Sequence, residues 1–115
     1  MPLTVDRTNL DSGVVVLTPS GTMTMGPQLH GFEKMVEELI KMQESRIVVD
    51  MSEVSYLDSS AIGVLVGCQL GAKNSGGQLR LAGLTERVAK IFKMAAVSEV
   101  MAIDANRDES ISKFV

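Results

Sequence analysis

The sequence predicts an α/β domain built on one mixed β-sheet. From Ile47 to Ile103, strand-like runs alternate with helical patterns in the order strand, helix, strand, helix, strand, which makes these strands parallel with right-handed crossovers. Upstream, two extended stretches are joined only by Asp11, Ser12 and Gly13, too few residues for a crossover. That pair is therefore an antiparallel hairpin, and the sheet is mixed.

Leu3, Val5, Arg7 and Asn9 alternate with Thr4, Asp6, Thr8 and Leu10, a mixed pattern that suits an edge strand. Val14 to Thr18 is the second strand; Pro19, Ser20 and Gly21 interrupt it, and Thr22 to Met25 resume it after a bend. Gly26 and Pro27 open the first helix, proline being suited to the first helical position. Leu29, Phe32, Met35, Val36, Leu39 and Ile40 form its apolar stripe, and Glu33, Lys34, Glu37, Glu38 and Lys41 its solvated face.

The β-branched run Ile47, Val48 and Val49, closed by Asp50, reads as a strand covered on both faces. Met51 to Leu57 reads as an irregular connection. Ala61, Ile62, Val64, Leu65 and Cys68 mark a second helix that runs to about Lys73, with Asn74 to Gly77 as its stop. Gln78 to Ala82 is the next strand. Thr85 caps a third helix whose buried stripe is Val88, Ile91, Phe92 and Ala95. Val100 to Ile103 is a short last strand, and Glu109 to Val115 a terminal helical turn or two packed through Ile111 and Phe114.

The 115 residues are read as one domain, 1–115, and a composition of 45% hydrophobic and 22% charged residues is that of an ordinary globular protein. With a net charge of −3, no Trp, one Tyr and three Phe, the chain has neither a phosphate-binding field nor stacking platforms for bases. Nucleic acid is not an expected partner. The opening Met-Pro-Leu-Thr-Val-Asp has no basic region followed by an apolar stretch, and no apolar run approaches the ~18 residues of a membrane span. A cytoplasmic protein without a membrane partner is expected. Cys68, the single cysteine, recurs at helical spacing from Ala61 and Val64 and reads as a packed thiol.

Several chemistries lack their parts. His30 is the single histidine and lies in the polar part of the first helix, so a serine hydrolase has no base downstream of Ser59 or Ser60, and no G-x-S-x-G elbow surrounds them. One Cys and one His do not build a zinc site. Gly63, Gly67 and Gly71 match no nucleotide loop; their spacing by four suggests close packing against a neighbour. Asp50 at a strand end lacks the acidic pair that a response-regulator phosphoacceptor needs after the first strand. The expected protein is not an enzyme and uses no cofactor.

What remains is the corner Asp58, Ser59 and Ser60 at the start of the second helix. Oxygens of Asp and Ser are favoured there because the first N–H groups of a helix have no intrahelical partner. One of the three suffices as a cap. A further serine in the first turn stands near free N–H groups and the positive end of the helix dipole, where an anion is tolerated. On the motif alone, plain capping comes ahead of modification.

The run Ile47 to Gly63, I-V-V-D-M-S-E-V-S-Y-L-D-S-S-A-I-G, resembles the signature of the STAS domain, in particular the bacterial anti-sigma-factor antagonists. The likeness continues through Gly76-Gly77-Gln78-Leu79-Arg80-Leu81 and Val88-Ala89-Lys90-Ile91-Phe92 to Met94. It implies a mixed sheet with helices mainly on one side and no catalysis by the domain. It also implies an anti-sigma factor, often a serine kinase, as the partner, phosphorylation of the second serine, Ser60, and a phosphatase that reverses it. Asp58 and Ser59 are carried over as neighbours of the acceptor. The chain departs from the family in having Gly21, Thr22, Met23 and Thr24 where a G-E-L-D stretch is common, and Ala61 where a glycine follows the second serine.

The expected partner surface is Asp58, Ser59 and Ser60 together with Met23, Thr24 and Met25, the methionines supplying adaptable apolar contact if exposed. Alternatives are a scaffold or small-ligand module in which Ser60 is never modified, and a small enzyme using the same corner, which lacks a base for its nucleophile.

Overall fold

In the computed structural model, which describes residues 2–114, β1 (Thr4–Asn9) lies antiparallel to β2 (Val15–Met23), with register from Thr4↔Ser20 to Asn9↔Val15. Gly13, at φ 91, makes the turn between them in a region of backbone space that favours glycine. β2 then serves two parallel partners in succession. Its first half pairs with β3 (Arg46–Asp50) from Val15↔Ile47 to Leu17↔Val49, and its second half with β4 (Glu53–Leu57) from Ser20↔Glu53 to Met23↔Leu57. Pro19 falls between these two ladders, where its missing N–H is not called for on that side, so β2 runs through it unbroken.

The expected irregular connection from Met51 to Leu57 is therefore corrected to a strand. Val54 and Leu57 are buried while Glu53, Ser55 and Tyr56 are exposed, a spacing of three that the two-residue alternation of a regular strand does not give. The cause is a register shift between Gly21 and Thr22, a bulge that turns both apolar positions inward.

α1 (Pro27–Lys41), α2 (Ser59–Asn74) and α3 (Glu86–Met94) contribute to one large core together with Val15, Leu17, Ile47, Val49, Leu79 and Leu81 of the sheet. The opposite face, with Val14, Val16, Val48 and Ala82, is packed by Leu10, Ile111 and Phe114. The sheet order is β1-β2-β3-β5-β6, with β5 (Gln78–Ala82) and β6 (Ile103–Asp104) parallel to β3, and β4 pairing with β2. Thr85 caps α3 as expected, its Oγ1 accepting from the N–H of Val88 at 3.2 Å. Ala95 follows the last helical residue and is exposed rather than part of the buried stripe.

Two further boundaries move. The last strand is Ile103–Asp104, not Val100 to Ile103, and the terminal helix α4 is Arg107–Ser112, begun by Asn106, whose Oδ1 accepts from the N–H of Glu109 at 2.9 Å. Met1, and Val115 at the end of the expected last helix, lie outside the described residues. The glycine face of α2 is also corrected. A Cβ on Gly71 would meet Ile40 Cδ1 at 3.3 Å, but nothing lies within 4 Å of one on Gly63 or Gly67.

Buried polar groups lock α4 to the sheet. Arg80 donates to both carboxylate oxygens of Asp104, at 2.6 and 3.0 Å, and the Ser110 hydroxyl donates to the same carboxylate at 2.6 Å. Arg107 donates to Asp50 at 2.9 Å and to the Thr18 hydroxyl at 2.8 Å.

Candidate functional site

The corner is set by where β2 and β4 end side by side. The N–H of Asp58 donates to the carbonyl of Met23 at 3.2 Å, extending the ladder one step, and the chain then turns into α2. Asp58 itself is extended, at φ −104 and ψ −178, and is the N-cap. Its Oδ1 accepts from the N–H of Ala61 at 3.0 Å, and its Oδ2 accepts from the N–H of Met25, in the loop after β2, also at 3.0 Å. One carboxylate thus holds a helix start and a neighbouring loop together. Its burial opposes ionisation, but the backbone donors of Met25, Ala61 and Ser60 outweigh that and hold the carboxyl below its ordinary 3.8.

Ser59 and Ser60 are the first two helical residues; Ser59 is exposed and Ser60 half-buried. Of the expected partner residues, Thr24 is exposed and Met25 is 78% exposed. Met23 is corrected: at 0% exposure it is a core residue, because it still belongs to β2 and pairs with Leu57. The structure therefore gathers Asp58, Ser59, Ser60, Thr24 and Met25 at one edge and takes Met23 away from it.

Sequence reasoning missed a second flank. Ser59 and Asp58 open onto a groove of ≈ 460 Å³ lined by Tyr56, Ile62, Ile91 and Met94. Met94 is 87% exposed, and Arg87 lies over the Tyr56 ring at 4.9 Å from its centroid. The one available signal was the position of Met94 at the end of α3, beyond the residues that the helical stripe required.

Cys68 is buried in α2, and burial, helped by Glu33 and Glu37, pushes its thiol up to about 12, which disfavours the thiolate. His30 is exposed on α1 with Glu33 3.7 Å away. Among the described residues no group of three or more His, Cys, Asp or Glu is placed to hold a metal ion, and no helix is long and apolar enough to cross a membrane.

A family model described as the STAS domain matches residues 7–110. The chain belongs to the STAS domain family. Among curated relatives of this STAS domain, the anti-sigma-B factor antagonist of Bacillus subtilis is 30% identical over 77 residues, 65% of this chain and 71% of that protein. In fold, a Thermotoga maritima protein superposes with a TM-score of 0.85 at 24% identity, over 95% of this chain and 92% of its own. The anti-sigma factor antagonist SpoIIAA, at 17% identity, superposes with a TM-score of 0.75 in its unphosphorylated form, over 96% of this chain and 97% of its own. Its Bacillus phosphorylated form gives 0.74, over 97% of this chain and 100% of its own. The mixed sheet with α1 to α3 on one face is thus the architecture that this STAS domain shares with SpoIIAA in either state.

Proposed function

We propose that this STAS domain is an anti-sigma-factor antagonist: it binds an anti-sigma factor, a serine kinase, in its unmodified state and is released when Ser60 is phosphorylated, so that sigma-factor-dependent transcription is regulated by partner switching. A phosphatase resets it. The domain works in the cytoplasm, needs no cofactor and catalyses nothing itself.

The observation that carries this reading is the serine pair in the first turn of α2, tied by Asp58 to a loop that exposes Met25. A surface of this kind docks a neutral hydroxyl beside an apolar contact. Phosphorylation brings about −1.5 to −2 charges to a place already next to an ionised Asp58. The repulsion, on the order of 1–3 kcal/mol at an intermediate dielectric, is comparable to what the helix N–H groups and dipole return, so the fold persists. The partner, however, must now desolvate a dianion in order to dock, and affinity falls. The relatives named anti-sigma-B factor antagonists and the likeness to SpoIIAA in both phosphorylation states support the same reading.

The test is the affinity of Ser60→Ala and Ser60→Asp for the anti-sigma factor kinase of the source organism. Ser60→Ala binds as the unmodified protein does and accepts no phosphate, and Ser60→Asp does not bind. Equal affinities would remove the switch. Mass spectrometry of the protein from its own cells, with and without phosphatase treatment, separates the switch from a scaffold whose Ser60 is never modified.

A further inference from the structure

The groove beside Ser59 is not accounted for by the serine corner. Away from Asp58 and Ser59 at its corner end, its walls are apolar: Leu57 and Ile62 form the buried part, Tyr56 and Ile91 the sides, and Met94 stands at the rim, more exposed than any other large apolar side chain among the described residues. Methionine at such a place gives a surface that repacks around different shapes.

Past its first turn, the exposed charge of α3 is positive, while the groove's own lining carries the carboxylate of Asp58. Arg87, Lys90 and Lys93 are all exposed on α3, in a chain whose net charge is −3. Arg87 is steered towards the groove by its place over the Tyr56 ring, and Lys90 lies one helical turn on, between Arg87 and Met94. The acidic groups nearby are Glu86, in the first turn of α3, and Asp58, whose two oxygens already accept from Ala61 and Met25. An ordinary solvated helix face looks different: on α1, acids and bases are interspersed, and Lys41 lies 3.9 Å from Glu38. No such ion pair is formed by Arg87, Lys90 or Lys93 among the described residues.

We infer that the groove between α2 and α3 receives an apolar segment of the anti-sigma factor that is flanked by acidic side chains, and that Arg87, Lys90, Lys93 and Met94 select which anti-sigma factor is bound. The inference rests on the reading that the Ser60 corner is a docking surface, and it deepens that reading. A cationic rim draws in an acidic flank and disfavours a basic one, which gives specificity and a salt-dependent association rate. It also strengthens the switch, since a phosphate on Ser60 would repel the same acidic flank that α3 attracts.

The first experiment needs no identified partner. Two synthetic helical peptides with the same apolar face, one flanked by Glu and one by Lys, are titrated into the full chain carrying carbon-13 methyl labels on methionine. The Glu-flanked peptide moves the Met94 resonance and leaves buried Met23 unmoved, and the Lys-flanked peptide binds at least about tenfold more weakly. The preference inverts in Arg87→Glu/Lys90→Glu/Lys93→Glu, whose exposed positions leave folding intact. Equal binding of the two peptides, or a Met94 resonance that neither moves, overturns the inference.

With the anti-sigma factor kinase of the source organism, the triple variant binds about tenfold more weakly at low salt, and the loss narrows at high salt. Unchanged affinity of the triple variant, with Ser60→Ala and Ser60→Asp still different, overturns the groove alone. Weakened affinity of the triple variant, with Ser60→Ala and Ser60→Asp alike, supports the groove and overturns the phosphorylation switch.

Discussion

The carboxylate of Asp58 and the backbone N–H of Met25 are 3.0 Å apart, a contact across 33 residues of sequence that fastens the loop after β2 to the start of α2. The same side chain caps α2 through Ala61, so its removal costs two hydrogen bonds at once. Asp58→Ala is expected to lower stability by about 1–2 kcal/mol and to speed amide exchange at Met25. Asp58→Asn can keep one acceptor and loses less. Urea denaturation measures the first effect and hydrogen exchange the second; unchanged protection at Met25 would show that the loop is held by something else.

Ser59 is exposed and Ser60 half-buried, although both stand in the first turn of α2. Under the proposed reading the acceptor is the less open of the two. Incubated with the kinase and ATP, Ser59→Ala still gains one phosphate and Ser60→Ala gains none, as read by intact mass. The modified protein unfolds within a few degrees of the unmodified one, because helix N–H groups compensate the added charge. Phosphate on Ser59 instead would move the switch to the wall of the α2–α3 groove.

Asp50, Asp58 and Asp104 are all held below the ordinary 3.8, though not by the same force. For Asp50 and Asp58 burial opposes ionisation and hydrogen bonds outweigh it, whereas for Asp104 the Arg80 side chain is the leading cause. Carboxyls with folded values below unfolded ones contribute stability that is present above pH ~4 and lost as pH falls through the folded values. Stability set by these groups should therefore be level from neutral pH to about 5 and fall steeply below about 4. Arg80→Ala leaves Asp104 buried with Lys113 3.9 Å away and costs about 3 kcal/mol at neutral pH. Its deficit against the unaltered protein should shrink as pH falls, since protonation then relieves the uncompensated carboxylate; a pH-independent deficit would count against this account.

Local pattern was enough wherever a residue's neighbours in sequence set its environment. Pro27 at a helix start, Thr85 as a cap, a cap for α2 somewhere within Asp58 to Ser60, and the stripe Leu29, Phe32, Val36 and Leu39 could all be read from spacing. What escaped depended on distant partners. β4 pairs with the far half of β2 through a bulge at Ser55, left over between Gly21↔Val54 and Thr22↔Tyr56, that brings both Val54 and Leu57 inward, and nothing within 53–57 announces it. Met23 and Met25 are two apart and would share a strand face, but β2 stops at Met23 and the chain turns, leaving one buried and the other open. The last strand begins late because Gln69 of α2 holds the preceding segment, donating to the carbonyl of Val100 and accepting from the N–H of Ala102, each at 2.8 Å. The Ser60 corner was visible because it is contiguous. The groove, made from β4, α2 and α3, was not.

The glycines of α2 separate two meanings of the same residue. Gly63 and Gly67 have nothing within 4 Å of a Cβ, so their helical backbone entropy is an unrelieved cost. Gly63→Ala and Gly67→Ala are each expected to raise stability by about 0.5–1 kcal/mol in urea denaturation. Gly71→Ala gains less, because Ile40 Cδ1, at 3.3 Å, has to give way. Gly77 is the opposite case: a Cβ there would overlap the backbone oxygen and hydroxyl of Ser45, whose carbonyl accepts from the N–H of Gln78 at the entry to β5. Gly77→Ala should therefore cost about 2 kcal/mol or more, since the collision involves backbone that the β3–β5 pairing holds in place. Equal responses at 63, 67 and 77 would mean that helix propensity alone governs these sites, and the close approach of residues 45 and 77 would lose its energetic significance.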